Sequence, residues 1–270
     1  MIITIVTPTL NGMPYLRDCI ASVKKNQSAD YTIDHVIVDG GSTDGTLELA
    51  EAEGLRILTG KDKGIFDAIN KGSFNSKGDL LGFIGSDDLM LEGALETVAR
   101  AHRQSKSRWI VGGIVWIDKH GNYLGELKAP PSWMSARMHV CLDWNPIMHM
   151  ATYFTRDLFE ELQGFNIQYK DGGDFDMFAR ALAKEPYERV GQQIVCFRRT
   201  GSNNSVLNKE RGRNDSLAVK LQFGPKSEPE RMFWKYFFKA WFNAINPSWS
   251  TRKVRDSLRS RLGFNAQRYF

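Results

Sequence analysis

Long hydrophobic runs are missing from this chain of 270 residues. No stretch approaches the roughly 18 consecutive apolar residues of a membrane-spanning helix, so we expect no transmembrane segment. The first twelve residues lack a basic region followed by a long apolar region, and we expect no signal peptide. The three cysteines, Cys19, Cys141 and Cys196, lie far apart. This spacing predicts neither a disulfide framework nor a cysteine metal site and is typical of the reducing cytoplasm.

Two phosphate-binding signatures are also absent. The sequence contains neither the GxGxxG fingerprint nor a P-loop, which argues against dinucleotide and ATP binding. The composition, with 42% hydrophobic and 25% charged residues, is that of a globular protein. The net charge of +5 would suit nucleic acid or an anionic membrane, depending on where the charge lies.

Short apolar runs alternate with helical patterns over the first hundred residues. This alternation predicts a parallel sheet with helices on both faces, and ligands in such sheets bind at the carboxyl ends of the strands. The predicted strands cover residues 2–6, 35–38, 56–58 and 80–84, and the predicted helices cover 15–24, 46–52, 65–74 and 91–102.

The pattern changes after residue 108. We predict a β-hairpin over 109–127, helices over 157–162 and 174–183, a strand over 193–197 and a polar loop over 199–208. An aromatic helix over 228–245 and a basic helix over 252–262 follow. We therefore divide the chain into a domain over 1–224, with halves 1–108 and 109–224, and a helical tail over 225–270.

Two polar loops follow the first two predicted strands, TPTLN at 7–11 and DGGSTDGT at 39–46. Gly40 and Gly41 of the second loop permit a close backbone approach, and Asp39 can accept a hydrogen bond from a base or a ribose hydroxyl, so the loops suit a nucleotide. Turn and helix-capping roles for Asn11 and Asp44 are the alternative.

Two charged clusters come next. In the first cluster, Asp67 and Lys71 have the spacing of an ion pair on a helix. The alternative is that Asp62 and Asp67 face the strand ends, while Lys63 and Lys71 bind phosphates. In the second, Asp87 and Asp88 directly follow a strand. Adjacent carboxylates need an opposing positive charge, so this pair indicates a divalent cation shared with phosphate oxygens or, alternatively, a solvated turn.

Taken in order, TPTLN, VDGGSTDGT, DKGIFDAINKG and GDLLGFIGSDD resemble the inverting family-two glycosyltransferases, closest to bacterial enzymes that build surface polysaccharides from nucleotide sugars. The match is dense over residues 1–95 and continues loosely to about 205. It implies a GT-A (Rossmann-like) fold with a mixed, mainly parallel sheet. Residues 1–108 would bind the nucleotide sugar, and residues 109–224 the acceptor.

The resemblance also implies roles for single residues on the donor side. Asp88 would be the direct ligand of Mn²⁺ or Mg²⁺ on the donor diphosphate, and Asp87 would be a second ligand or face the sugar or ribose. The residues that would bind or border the nucleotide and donor sugar are Pro8, Thr9, Asn11, Asp39, Gly41, Ser42, Asp62, Asp67 and Lys71.

On the acceptor side, Asp174 matches the position of the family's catalytic base. The family usually has Glu before this Asp, whereas this chain has Gly173, which leaves Asp176 as a second candidate. Helix capping is the alternative role for Asp174. His149 would line the acceptor pocket, although a lone histidine among apolar residues is more often a packing residue.

The polar loop at 198–205 falls where the family closes a loop over the diphosphate, so Arg198 or Arg199 would bind phosphate. A histidine that some family members use as a metal ligand in this region has no counterpart here.

Basic charge is concentrated in the tail. Residues 225–270 contain ten basic and three acidic residues, a net +7, which leaves −2 for residues 1–224. Aromatic residues recur at helical spacing over 228–245, with lysines beside them. This pattern predicts an interfacial helix at an anionic inner membrane surface. The alternatives are packing on the catalytic domain or on another subunit.

Together these features predict metal-dependent transfer of a sugar, with inversion, to a hydroxyl of a glycan or lipid-linked acceptor. The alternative is a non-catalytic nucleotide-sugar or polysaccharide binding protein on the same fold. A sugar-1-phosphate nucleotidyltransferase would normally carry a glycine-rich basic signature, which the sequence lacks. Nucleic-acid binding is suggested by net charge alone.

Overall fold

The structure, a computed structural model, describes residues 1–142, 144–201, 209–247 and 250–251. Its strands are β1 Ile2–Thr9, β2 Thr32–Asp39, β3 Arg56–Thr59, β4 Leu80–Phe83, β5 Leu89–Met90, β6 Trp109–Asp118, β7 Tyr123–Leu127, β8 Thr152–Thr155 and β9 Glu188–Arg199. Its helices are α1 Leu16–Lys24, α2 Thr46–Ala52, α3 Ile65–Phe74, α4 Ala94–Ser105, α5 Ala136–His139, α6 Arg156–Glu161, α7 Gly173–Lys184, α8 Lys209–Phe223 and α9 Glu228–Ile245, with a 3-10 turn at His149–Ala151.

All nine strands join one sheet in the order β3-β2-β1-β4-β8-β6-β9-β5, and β7 pairs with β6. The longest pairings, β1 with β2 and β6 with β9, are parallel. Strand β8 runs antiparallel between β4 and β6. The result is a mixed, mainly parallel sheet, as the sequence predicts.

Side chains of the central strands alternate between two buried layers, as the two-residue period of a strand requires. In β1, Ile3 and Ile5 pack with Leu95 of α4 on one face of the sheet. Val6 packs with Phe66 of α3 on the other face. Helices therefore cover both faces, and this confirms the predicted arrangement.

Five of the described elements were not predicted, namely β5, β8, α5, α8 and the 3-10 turn. Strand β8 has only four residues, all buried, and it fills the centre of the sheet between β4 and β6. So short an apolar run carries no period of its own. Helix α8 has a mixed sequence, KERGRNDSLAVKLQF, with no continuous apolar stripe, and only Val219 is fully buried in its contact with α7.

Helix α9 has the bounds that the aromatic pattern predicts, and it packs on the body of the protein. Phe238 lies 5.7 Å from Trp133 and Phe242 lies 4.4 Å from Trp144, measured between ring centroids. Asn246, at the end of the helix, accepts a hydrogen bond from the Lys128 amide at 2.8 Å. The packing alternative is therefore correct for one face of α9.

The predicted basic helix over 252–262 lies outside the described residues. Among the described helices, none has the length and apolar character needed to cross a membrane.

Candidate active site

The loops after β1 and β2 are tied to each other at the edge of the sheet. The Asn11 amide donates to the Ser42 hydroxyl at 2.7 Å, and the Asn11 side chain accepts from the Thr43 amide at 3.0 Å. Asn11 adopts a positive φ of 54° to make this turn. The predicted nucleotide-binding residues of both loops are thus brought together, and Asp44 takes the turn role by accepting from the Thr46 amide.

Asp39 is fully buried and holds the second loop. One of its oxygens accepts from the amides of Gly41 and Ser42 at 2.8 and 2.9 Å, and the other accepts from the Ser42 hydroxyl. In the first loop, Pro8 is half-buried, and the buried hydroxyl of Thr9 has no hydrogen-bond partner among the residues that the structure describes. Such an orphaned group suits a bound ligand.

The third cluster lies against the second. A Cβ built on Gly40 would be 2.9 Å from Oδ2 of Asp62, so Asp62 packs on the backbone of this loop. Asp67 forms the predicted ion pair with Lys71 at 3.0 Å. Burial by itself would raise the pKa of Asp67. The hydrogen bond from the Lys63 amide and the contact with Lys71 outweigh burial, so the pKa is lowered.

Asp87 and Asp88 follow β4 and are braced by Arg198 at the end of β9. The Arg198 amide donates to Oδ1 of Asp88 at 2.9 Å, and its Nε donates to the Asp87 carbonyl at 2.7 Å. The guanidinium group lies 4.7 Å from the centre of the Tyr15 ring. Only 4% of Arg198 is exposed, so it is a partner of the acid pair, and its contact with phosphate stays a prediction.

Burial raises the pKa of both acids. The pKa of Asp88 rises well above its usual value because the carboxylate is buried and lies beside Asp87. The pKa of Asp87 rises through burial, while the charges of Arg198 and His149 lower it. The surroundings of the pair therefore disfavour the ionised forms of the two carboxyl groups.

The acid pair fits a divalent cation on the evidence of its own geometry. A Cβ built on Gly85 would lie 2.8 Å from Oδ2 of Asp88 and 3.0 Å from Oδ1 of Asp87, so both oxygens border the space that glycine leaves open. Within the described ranges, no cluster of three or more His, Cys, Asp or Glu residues could hold a metal. Two carboxylates are the usual protein share when a diphosphate supplies the other ligands of Mg²⁺ or Mn²⁺.

Asp174 lies in the first turn of α7, opposite the 3-10 turn that carries His149. Nδ1 of His149 is 3.8 Å from Oδ2 of Asp174, and both side chains are about one-fifth exposed, at 18% and 21%. The ring of Phe66 meets the His149 ring edge-on at 6.4 Å. The charge of His149 also lowers the pKa of Asp87, so His149 interacts with both acidic groups.

The Gly173 departure from the family pattern has a steric cause. A Cβ at this position would lie 2.5 Å from Cδ2 of Phe66, so a glutamate does not fit. Phe66 is held in place by stacking on Phe165 at 5.1 Å. The sequence offered no signal for this contact, because Phe66 reads as an ordinary core residue of α3.

Asp176, the alternative candidate for the base, has different surroundings from Asp174. Its side chain is 3% exposed and pairs with Nε of Arg180 at 2.8 Å. Arg180 also donates to the carbonyls of Leu162 and Gly164. These contacts favour a structural role for Asp176 in α7, and burial raises the pKa of its carboxyl group.

Part of the predicted phosphate-binding loop, residues 202–205, lies outside the described residues. Its start is described: the Arg199 guanidinium is 4.4 Å from the centre of the Trp116 ring, and burial lowers the pKa of Arg199 to about 10. Sequence reasoning missed Tyr15 and Trp116, because aromatic partners of arginine are set by contacts between distant segments.

Comparison with known families gives a match to Glycosyl transferase family 2 over residues 4–163. A PGL/p-HBAD biosynthesis glycosyltransferase of Mycobacterium bovis is 26% identical over 220 residues, covering 77% of this chain and 81% of that protein. A chondroitin synthase of Escherichia coli is 25% identical over 213 residues, which covers 76% of this chain but only 30% of the synthase.

Solved structures share the fold at lower identity. TarS residues 1–349 of S. aureus, in complex with UDP-GlcNAc, superimposes with a TM-score of 0.63 at 16% identity, covering 86% of this chain and 69% of that one. The mannosyltransferase PcManGT of Pyrobaculum calidifontis, in complex with GDP-Man and Mn²⁺, gives 0.58 at 15% identity, with 96% and 75% covered.

Proposed function

Because the chain belongs to glycosyl transferase family 2, we propose that it transfers a sugar, with inversion, from a nucleoside diphosphate sugar to a hydroxyl group of a glycan or lipid-linked acceptor. The observation that carries this proposal is that His149 interacts with two separate acidic groups. Asp87 and Asp88 lie at the end of β4, and Asp174 lies at the start of α7. One group suits a diphosphate with its cation, and the other suits an attacking hydroxyl.

On the donor side, the loops after β1 and β2 would hold the nucleotide. The partnerless Thr9 hydroxyl and the tied loop backbones support this assignment. Asp88, and Asp87 beside it, would hold Mn²⁺ or Mg²⁺; when bound, the cation offsets charge on the leaving diphosphate. We assign this half of the site to residues 1–108.

On the acceptor side, we assign the general base to Asp174. Its carboxylate takes the proton of the acceptor hydroxyl, whose oxygen attacks the anomeric carbon from the face opposite the diphosphate. The new bond to the acceptor oxygen forms as the bond to the diphosphate oxygen breaks, and the configuration inverts. His149, 3.8 Å from Asp174, orients the base beside the acceptor within residues 109–224.

The named relatives favour a substrate class. The mycobacterial relative takes part in PGL/p-HBAD biosynthesis, and the chondroitin synthase relative makes a polysaccharide, so we propose a glycan or glycolipid acceptor in surface polysaccharide synthesis. TarS was crystallised with UDP-GlcNAc and PcManGT with GDP-Man and Mn²⁺, which makes UDP- and GDP-sugars the first donors to test.

The test is a panel of UDP- and GDP-sugars, scored by thermal shift with and without Mn²⁺ and then by release of UDP or GDP. We expect one donor to raise the melting temperature more strongly with Mn²⁺. Asp88→Asn and Asp174→Asn should each lower turnover strongly, whereas Asp30→Asn, which changes an exposed acid far from the site, should not. Donor binding without any turnover in the wild type would instead support the non-catalytic binding protein.

We further propose that the outer face of α9 contacts an anionic membrane on its cytoplasmic side. Phe233, Tyr236 and Phe237 are exposed there at 58%, 55% and 39%, and Trp133, exposed at 54%, contacts Phe237 from the body of the protein. Lys239 is also exposed on this helix, and the tail carries a net +7. An aromatic surface bordered by basic residues suits the interface of an anionic bilayer.

Vesicle sedimentation tests this contact. The wild type should bind vesicles that contain phosphatidylglycerol, and it should bind vesicles of pure phosphatidylcholine only weakly. Phe233→Ser with Phe237→Ser should weaken binding about tenfold, whereas Tyr123→Ser, an exposed aromatic on β7, should change nothing. Equal binding by all three proteins overturns the proposal. A concentration-dependent dimer that the double variant abolishes would identify a second copy as the partner instead.

A further inference from the structure

Helix α8 packs over the start of α7, where Asp174 lies. Its buried residue Val219 joins Phe175 and Ala179 of α7 and Val140 in a small apolar cluster. Helix α8 lies outside the region matched by the family, residues 4–163, and none of its residues has an assigned role in the site.

One side chain of α8 reaches the backbone just before the base. Oδ2 of Asp215 accepts hydrogen bonds from the amides of Asp171 and Gly172 at 3.0 and 3.1 Å. A Cβ built on Gly172 would lie 2.6 Å from Cβ of Asp215, so the approach requires glycine. Arg211, one turn earlier on α8, pairs with the Asp171 side chain.

These contacts act on the part of α7 that most needs support. The first amides of a helix have no partners within the helix, so the turn that leads into it must be held from outside. Gly172 is the N-cap residue directly before α7, and its carbonyl accepts a hydrogen bond from the Asp176 amide at 3.1 Å. A shift of this turn therefore moves the Asp174 carboxylate, two residues farther on.

We infer that Asp215 is a positioning residue for the reaction: by holding the Asp171 and Gly172 amides it orients Asp174 toward the acceptor hydroxyl. This inference rests on the proposed function, because it takes Asp174 as the base. Misplacing a reacting group by about 1 Å can lower the rate about 100-fold, so loss of this contact should affect turnover more than donor binding.

The test compares Asp215→Ala with Asp215→Asn. Asparagine keeps an oxygen that can accept both amides, whereas alanine removes it. With UDP-GlcNAc and GDP-mannose as donors and water as acceptor, Asp215→Ala should lower kcat about 10- to 100-fold at an unchanged donor KM. Asp215→Asn should restore most of that loss. Glu210→Ala, which removes an exposed acid of the same helix, should behave as the wild type.

Hydrogen exchange of the free protein provides the second readout. Asp215→Ala should speed amide exchange in the peptide over 170–176, and Asp215→Asn should not. Unchanged exchange in Asp215→Ala, or equal loss of kcat in the alanine and asparagine variants, overturns the inference. If the wild type itself turns over no donor, the proposed function fails, and the exchange experiment still decides whether Asp215 holds the turn.

Discussion

Asp88 and Asp174 are the two acids around which the site is built, and their surroundings differ. Asp88 is 2% exposed at the end of a central strand, and it accepts a backbone hydrogen bond from Arg198 on a second strand. Asp174 is in the first turn of α7, its side chain is 21% exposed, and its carboxylate lies 3.8 Å from Nδ1 of His149.

This contrast indicates two different tasks. Burial beside Asp87 leaves Asp88 with a raised pKa, a state that costs stability and that a bound cation would relieve. The partly exposed carboxylate of Asp174, at the start of a helix, is reachable by a substrate hydroxyl. Substitutions at these acids and at their neighbours test whether stability and turnover respond separately.

The largest effect is expected from Asp174→Asn. The amide cannot take the proton of the acceptor, so kcat should fall about 10³-fold. Donor binding, followed by thermal shift with UDP- and GDP-sugars, should remain within about twofold of the wild type, because it depends on the other half of the site. A variant with full activity would remove Asp174 as the base.

Asp176→Asn, two residues from Asp174, should lower stability and leave kcat nearly unchanged. Loss of this buried carboxylate leaves Arg180 without its charge partner and should lower the free energy of unfolding by about 3 kcal/mol. Denaturant unfolding measures that loss, and kcat per folded molecule should change little. If instead kcat collapses in a stable Asp176→Asn protein, the assignment of the base moves to Asp176.

A smaller effect is expected from His149→Ala. Without the imidazole beside Oδ2, the base is oriented less firmly, and kcat should fall about tenfold, or about 1.4 kcal/mol in activation free energy. His149→Asn keeps a side-chain amide that can donate to Asp174, and it should recover part of the rate. Identical kinetics for alanine and the wild type would mean that the contact at 3.8 Å is incidental.

The smallest effect concerns stability without the cation. The folded-state pKa of Asp88 lies above its unfolded value, so the folded protein binds the extra proton. Stability should fall as pH rises from the ordinary carboxyl pKa toward the raised value, and Asp88→Asn should remove this loss, a gain of about 1 kcal/mol at neutral pH. Melting curves from pH 4 to 8 test the sign. Mn²⁺ should raise the melting temperature of the wild type and leave the Asn variant unchanged.

Much of the donor half could be predicted from local pattern. Helix α3 begins and ends where its apolar spacing indicates, at Ile65 and Phe74, and the polar loops after β1 and β2 meet as expected. These elements follow one another along the chain with short connections, so neighbouring segments become neighbouring strands.

The acceptor half was harder to predict. Strand β8 is four residues long, and it pairs with β4 and β6, strands that precede it by tens of residues. Helix α8 has no clear apolar stripe, and its role depends on two backbone amides that lie 44 and 43 residues earlier in the chain. Contacts between segments so far apart in the chain leave no periodic pattern in the sequence of either segment.

By itself, the sequence determined which polar groups reach the carboxyl edge of the sheet, because that position follows from the order of strands and loops. Only the tertiary structure decided how those groups differ. Asp174 and Asp176 are two residues apart, about 200° around a helix, so one faces His149 and the other is buried against Arg180. Which face is buried depends on the neighbouring elements, and so does the charge that each acid meets there.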